Sequence, residues 1–294
     1  MESIKSRIEM GKEMKDEDKM YKRDGIWYST IMSPPENLDA AKVMQAREDD
    51  VFLVAYPKCG FNWMVGVVKK IMNISSGITV PDRPPLIEFH SPEVHQIVAQ
   101  MPSRRFLGTH FHPKYIPVSF KDKKTKLLVV FRNPKDTAVS YYHFMNKNPV
   151  LPNVESWDKF FSDFMTGEVG WGSYFDHAVA WNKQMDDPNV LIVTFEEMKE
   201  NAPAGIKKVA EFFNFPLTDE QISTIAKETT FSAMQENSKK SHAQIANAIF
   251  RKGEVGDWKN HFSEAQSKQM DEEFQKKLAG TKLGAKLKYD LYCQ

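Results

Sequence analysis

The sequence predicts an α/β fold, a single domain in which helices flank a central parallel sheet. Four short apolar runs have the length of buried strands, at residues 51–55, 106–110, 127–131 and 190–195. Stretches with helical spacing separate these runs, which is the pattern of the βαβ units that build a parallel sheet. The 294 residues, 41% of them hydrophobic, suffice for one large core, and no change in composition marks a second domain.

Composition and charge argue against several classes of protein. The chain has 40 basic and 39 acidic residues, so its net charge of +1 provides no overall field for nucleic acid or an anionic membrane. Its start is polar and no apolar run reaches membrane-spanning length, which argues against a secretory signal and a transmembrane helix. Two cysteines, Cys59 and Cys293, are too few for a disulfide framework or a zinc set. We therefore expect a cytoplasmic protein with free thiols.

The loop after the first predicted strand is a candidate phosphate-binding site. Pro57 ends the strand, Gly60 permits a tight turn, and apolar residues at helical spacing predict a helix over 62–72. The unpaired N–H groups and the dipole of a helix start attract anions, and Lys58 adds a full charge beside them. The loop does not match the nucleotide-binding motif G-x-x-x-x-G-K-[ST], so it predicts no metal ligand. Taken alone, a strand–loop–helix corner with a solvated lysine explains it equally well.

The second and third predicted strands also end at polar or cationic residues. The second ends at His110, and because the carboxyl ends of parallel strands share one edge of the sheet, His110 and Lys58 should meet there. His112 is interpreted as an ordinary loop residue. The third strand precedes Arg132-Asn133-Pro134-Lys135-Asp136 and a helix with Ser140 in its early turns. This repetition of strand, cation and helix start predicts a second anion contact.

Most of the remaining chain has helical patterns. Aromatic-faced helices are predicted over 157–164 and 171–185, and helices fill most of 196–235. Residues 1–20 predict either a helix or a mobile segment. The polar composition of 237–247 predicts a mobile lid loop.

A third cationic loop, Arg251-Lys252-Gly253, lies before a last amphipathic helix predicted over 263–278. Arginine offers a fork for phosphate oxygens, lysine a point charge, and glycine a close approach of the backbone. Together with Lys58 and Arg132, this loop predicts a ligand that carries phosphate at more than one place. Two aromatic residues near these loops could stack on a purine ring: Trp63 and Phe195.

Three motifs together resemble those of the cytosolic sulfotransferases. They are Tyr56-Pro57-Lys58-x-Gly60 with Trp63, Arg132-Asn133-Pro134-Lys135-Asp136 with Ser140, and Arg251-Lys252-Gly253 with Gly256-Asp257-Trp258. The resemblance extends over nearly the whole chain. It implies a P-loop-like loop that binds the phosphosulfate of 3'-phosphoadenosine-5'-phosphosulfate (PAPS). It further implies transfer of the sulfuryl group to a hydroxyl of a small hydrophobic acceptor, without a metal.

The resemblance also implies a role for each matching residue. His110 would be the general base, and Lys58 would neutralise charge on the leaving phosphate. The residues implied to hold the 5' end of the donor are Lys58, Cys59, Gly60, Phe61, Asn62 and Trp63. Those implied to hold its 3'-phosphate are Arg132, Ser140, Arg251, Lys252 and Gly253. The adenine would be surrounded by Trp63, Phe195, Thr230 and Phe231, with Phe250 also assigned to the donor site.

The implied acceptor pocket is lined mainly by apolar and aromatic side chains. Its residues would be Trp27, Leu86, Phe89, Tyr142, Phe144 and Met234. Such a lining implies a flat acceptor with one hydroxyl, namely a phenol, an iodothyronine or a steroid.

Several residues differ from the common family pattern. Cys59 and Phe61 stand where serine and threonine are usual, so two hydroxyl contacts to the donor are lost or weakened. Gly108 replaces a lysine found in many members, which predicts slower turnover. Phe195 keeps a ring face but loses a tyrosine hydroxyl. Of the family's dimer signature, K-x-x-x-T-V-x-x-x-E, only Lys259 is present, so a homodimer is left open.

Two other functions compete with an active sulfotransferase. The departures at Cys59, Phe61 and Gly108 suggest a binding protein that retains the nucleotide or a hydrophobic ligand but turns over little. A small-molecule kinase on the same sheet is disfavoured, because no lysine–serine pair or acidic magnesium ligand accompanies the first loop.

Overall fold

Four parallel strands form the centre of the molecule, which confirms the predicted fold class. The computed structural model describes residues 4–80, 86–242 and 249–294. Its strands are β1 (Met20–Arg23), β2 (Ile26–Ser29), β3 (Val51–Ala55), β4 (Phe106–Thr109), β5 (Leu127–Phe131) and β6 (Val190–Thr194). The order in the central sheet is β4-β3-β5-β6, and β1 and β2 form a separate antiparallel hairpin that the sequence patterns did not predict.

Helices cover both faces of this sheet. In chain order they are α1 (Ile4–Glu13), α2 (Pro35–Lys42), α3 (Phe61–Ser76), α4 (Pro92–Ala99), α5 (Val118–Asp122), α6 (Pro134–Lys147), α7 (Trp157–Thr166), α8 (Tyr174–Asn182), α9 (Phe195–Glu200), α10 (Ala202–Phe212), α11 (Asp219–Glu228), α12 (Phe231–His242), α13 (Glu264–Lys277), α14 (Lys282–Lys286) and α15 (Tyr289–Tyr292). Short 3-10 helices lie at Asp16–Asp18, Ile87–Phe89, Pro113–Tyr115 and Asp257–Asn260.

The two inner strands explain why the apolar runs are continuous. Every residue of β3 is fully buried, and Leu53 lies between Gly108 of β4 and Leu128 of β5. A strand of a parallel sheet that is covered on both faces has no solvent side, so its sequence does not alternate. All four strands run in the same direction, which brings their carboxyl ends, and the loops that follow, to one edge.

Element boundaries differ from the predictions by a few residues. Thr194 ends β6 and caps α9 through a reciprocal capping box with Glu197, so Phe195 begins a helix and does not end the strand. β4 likewise ends at Thr109, which leaves His110 in the loop. The helix predicted over 62–72 begins at Phe61 and continues to Ser76.

The terminal and lid segments gave mixed results. The N-terminal residues form α1, which favours the helical alternative for that segment. The prediction of a loop is wrong for residues 237–242, because α12 continues to His242, while residues 243–247 lie outside the described residues. Beyond the last predicted helix the chain forms α14 and α15, which were not predicted. Among the described helices, none is long and apolar enough to cross a membrane.

Candidate functional site

A large cavity opens at the carboxyl edge of the sheet. Its volume is about 840 Å³, and it is bordered by the loops after β3, β4 and β5 and by the 250–254 segment. The structure therefore brings the three cationic loops and His110 together. The predicted residues that line it are Lys58, Gly60, Phe61, Asn62, Trp63, Leu86, Phe89, His110, Arg132, Ser140, Phe144, Phe195, Phe231, Phe250, Arg251, Lys252 and Gly253.

The first loop delivers Lys58 and a helix start to this cavity. Gly60 takes a left-handed conformation (φ 104°) as the N-cap of α3, and no side chain of the described residues caps that end. The ammonium of Lys58 lies 4.0 Å from the centroid of the Phe144 ring. Burial, together with the charges of Arg132 and Arg251, lowers the pKa of Lys58 to about 7. Two arginines thus act on one withdrawn lysine, which makes the cavity strongly attractive to an anion.

Arg132 is held between an aromatic ring and the third loop. Its Nη2 donates to the Glu254 carbonyl at 2.7 Å, and its guanidinium lies 4.5 Å from the centroid of the Phe195 ring. Its Nε is buried and has no hydrogen-bond partner among the described residues. A buried guanidinium N–H in this state is costly unless an acceptor arrives, so this atom marks a position for a ligand oxygen.

The third loop is tied to the second by a carboxylate. Asp136 accepts the backbone N–H groups of Gly256 at 2.8 Å and Trp258 at 3.1 Å. Asp257 pairs with Arg251 and, at 2.6 Å, with Lys252. Burial raises the pKa of Asp257, but these cation contacts outweigh it and hold the carboxyl well below its ordinary value. The two cations of the third loop are therefore held in place before any anion binds.

Four aromatic rings form the wall between these loops. The Trp63 and Phe195 ring centroids are 5.0 Å apart, and those of Phe231 and Phe250 are 5.8 Å apart. The indole of Trp63 donates to the Thr229 carbonyl at 2.7 Å, which fixes its plane. This wall offers ring faces to a planar ligand beside the cations.

His110 is anchored through one ring nitrogen. Its Nδ1 lies 2.7 Å from the Ala55 carbonyl. Because a carbonyl only accepts, Nδ1 carries the proton, and Nε2 of the neutral ring keeps its lone pair. Burial lowers the pKa of His110 to about 4, with Lys58 adding to the effect and the Ala55 contact opposing it. The imidazole is therefore neutral at physiological pH and can accept a proton.

Glu88 holds the loop that carries this histidine. Its two carboxyl oxygens accept the His110 backbone N–H at 2.7 Å and the Thr109 hydroxyl at 2.9 Å. The side chain is fully buried, and this burial raises its pKa to about 7. The sequence patterns did not single out Glu88, since one acidic residue in an apolar segment has no periodic signal.

The apolar part of the cavity was only partly predicted. Beside Leu86, Phe89 and Phe144, it is lined by the ring of Trp171 and by one face of α4. The residues of that face are Val94, Ile97, Val98 and Met101. Their spacing of three, four and seven residues is that of a helical stripe, so this signal was present in the sequence.

Five predicted site residues lie elsewhere. Trp27 donates its indole N–H to Glu168 on the outside, and Tyr142 packs against Trp157 and Phe160, so the prediction that both line the acceptor pocket is wrong. The side chain of Met234 packs over Gly66 of α3. The two donor-site corrections are Cys59, whose sulfur lies behind the loop 3.7 Å from the Thr137 hydroxyl, and Thr230, whose hydroxyl is exposed beside Ser232.

Similar proteins share this architecture. A family model described as "Sulfotransferase domain" matches residues 48–282. The chain is 68% identical to Sulfotransferase 6B1 of Danio rerio, with 100% of both chains covered. It is 46% identical to Sulfotransferase 6B1 of Homo sapiens, with 100% of this chain and 97% of that protein covered. A solved structure of mouse sulfotransferase SULT7A1 complexed with PAP is 38% identical, with a TM-score of 0.84 and coverage of 92% of this chain and 98% of that chain.

Proposed function

The chain belongs to the sulfotransferase family, and from this premise we propose that it transfers the sulfuryl group of PAPS to a hydroxyl of a small hydrophobic acceptor. The observation that carries the proposal is the convergence of three cationic loops and a neutral histidine on one cavity. The named relatives and the PAP complex of SULT7A1 support the same reaction.

The residues of the cavity fit a bisphosphorylated nucleotide. Lys58 and the start of α3 would hold the 5' end, and Arg132, Ser140 and the loop from Arg251 to Gly253 would hold the 3'-phosphate. The unpaired Nε of Arg132 supports an oxygen ligand there. The aromatic wall of Trp63, Phe195, Phe231 and Phe250 would enclose the adenine. When bound, the donor supplies an activated sulfur whose bond to the 5'-phosphate oxygen is broken in the transfer.

His110 would accept the proton of the attacking hydroxyl. Its protonated Nδ1 is bound to Ala55, so the lone pair is on Nε2, and Glu88 holds the backbone of the same residue. A base must be unprotonated to act, and the low pKa of His110 meets that condition at neutral pH. Lys58 would stabilise the negative charge that grows on the departing phosphate oxygen, in a cavity where water screens little.

The acceptor would occupy the apolar end of the same cavity. Leu86, Phe89, Phe144 and Trp171, with the face of α4, favour a flat hydrophobic molecule such as a phenol, an iodothyronine or a steroid. The buried free thiols of Cys59 and Cys293 agree with action in the reducing cytoplasm.

Incubation with sulfur-labelled PAPS and a panel of phenols, iodothyronines and steroids tests the proposed function. We expect label to appear on at least one acceptor, and to do so in the presence of a metal chelator. Heat-stable binding of PAP without any transfer would instead favour the nucleotide-binding protein. The phenyl ring of Phe61 supports that second function, because it offers no hydrogen bond to the donor.

Nucleotide binding is expected to be coupled to proton uptake by Lys58. Because its pKa is about 7 in the nucleotide-free protein, much of this lysine is neutral at higher pH. Phosphate oxygens favour the charged form, so PAP raises this pKa, and the affinity for PAP falls as pH rises above about 7. Calorimetric titration at about pH 8, in two buffers that differ in ionisation enthalpy, should give two different apparent enthalpies. Equal enthalpies in both buffers would contradict the assignment, and Lys58→Met should remove the difference.

A further inference from the structure

Phe61 and Gly108 fit together at the carboxyl edge of the sheet. Phe61 is the first residue of α3, and Gly108 lies in β4 beside Leu53 of β3. A Cβ atom at position 108 would lie 2.5 Å from Cζ of Phe61 and 3.0 Å from its Cε2. Contacts this short do not occur between real side chains, so the phenyl ring occupies the volume that any other residue at 108 would need. The position of this ring thus depends on the glycine.

The same ring packs against the imidazole of His110. Their centroids are 5.0 Å apart at an interplanar angle of 61°, while Trp171 and Phe89 lie at 5.4 Å and 6.2 Å from the same imidazole. The hydrogen bond from Nδ1 to the Ala55 carbonyl fixes one edge of the imidazole. A single hydrogen bond leaves the tilt of a ring free, so packing by the surrounding rings must set it.

We propose that Phe61 is a positioning residue for the base His110, and that Gly108 is the residue that makes room for it. This inference rests on the proposed function, in which His110 accepts the proton. A phenyl ring cannot hydrogen-bond an anion, and the Phe61 side chain is 5% exposed, so its contribution to donor binding is confined to its backbone N–H. Through this ring, the helix start that faces the donor is in direct contact with the base.

Two effects follow from this contact. The ring holds the imidazole in one orientation, and misplacement of a reacting group by about 1 Å lowers the rate by about 10²-fold. The ring also excludes water from His110, which contributes to its low pKa. The titratable groups that act on His110 are Lys58 in the first loop, Glu88 in the neighbouring 3-10 helix and His177 in α8. None of them changes in the variants below.

Kinetics of four variants test the proposal. Phe61→Ala should lower kcat by about 10²-fold with the KM for PAPS unchanged within about twofold, while Phe61→Leu should recover part of the loss. Gly108→Ala should lower kcat in the same way, because its Cβ displaces the ring. Adding Phe61→Leu to Gly108→Ala should then raise kcat, since leucine lacks the atoms that overlap. Phe212→Leu, at the end of α10 and outside the cavity, is the matched control.

Proton NMR titration of His110 provides a readout that does not require turnover. The signal is assigned by its loss in His110→Asn. In the unmodified chain its chemical shift should stay constant from about pH 8 down to about pH 5.5, whereas in Phe61→Ala it should titrate within that interval as water reaches the ring.

Three results would overturn the inference. They are a raised KM for PAPS with normal kcat in Phe61→Ala, strictly additive losses in the double variant, and a His110 titration that is the same with and without the ring. Absence of label transfer by the unmodified chain would contradict the proposed function, and the NMR titration would still decide whether Phe61 controls the state of His110.

Discussion

Replacement of His110 is expected to reduce sulfuryl transfer by about 10²- to 10⁴-fold, the range typical of a lost general base. His110→Asn is the sharper variant, because its side-chain amide can still donate to the Ala55 carbonyl while offering no basic nitrogen. PAP affinity should stay within about twofold, since His110 does not contact the cationic loops that would hold the phosphates. Initial rates with labelled PAPS and calorimetric titration with PAP measure the two quantities.

His112→Ala is the matched control for this experiment. His112 lies two residues further along the loop, accepts the Lys114 backbone N–H on its Nδ1, and does not line the cavity. Its removal should leave the rate near that of the unmodified chain. If His110→Asn weakened PAP binding as much as it slowed transfer, His110 would be a donor ligand and not the base.

Replacement of Lys58 is expected to have the second largest effect. Lys58→Met should lower kcat by about 10²- to 10³-fold, as loss of one preorganised charge at a developing oxyanion does in other enzymes. Methionine keeps the length of the side chain and tolerates the positive φ of 69° at this position no worse than lysine does. The loss of binding should be smaller, because Arg132 and Arg251 remain and are relieved of a like charge.

Two comparisons separate the charge of Lys58 from its shape. Lys121→Met, on the exposed side of α5, is the control for the substitution itself and should not change the rate. Lys58→Arg keeps a charge but not its position, so it should recover binding of PAP better than kcat. A normal kcat for Lys58→Met would show that the lysine serves binding alone.

The strands and the cationic loops could be predicted because their signals are local. A buried parallel strand is a short continuous apolar run, and the loop at its carboxyl end contains its own turn residues and its own cation. The edge shared by parallel strands then brings Lys58, His110 and Arg132 together without knowledge of the packing. The small hairpin β1–β2 was missed, because its strands are four residues long and have no regular alternation.

The acceptor end of the cavity was harder to predict, because it depends on which way each side chain points. Tyr142 and Phe144 are two residues apart on α6, so they project from different sides of the helix. Phe144 lines the cavity below Lys58, whereas Tyr142 packs against α7. The sequence shows that both are aromatic, but the rotation of α6 about its axis is decided by tertiary packing.

By itself, the sequence determined the parallel sheet, the three basic loops and the histidine that follows the second strand, since each is specified by neighbouring residues. Only the tertiary structure decided that Glu88 holds this histidine, that Trp171 and α4 close the apolar end, and that Gly108 admits the ring of Phe61. These contacts join segments distant in the chain, and their existence depends on how closely the elements pack, which no local pattern encodes.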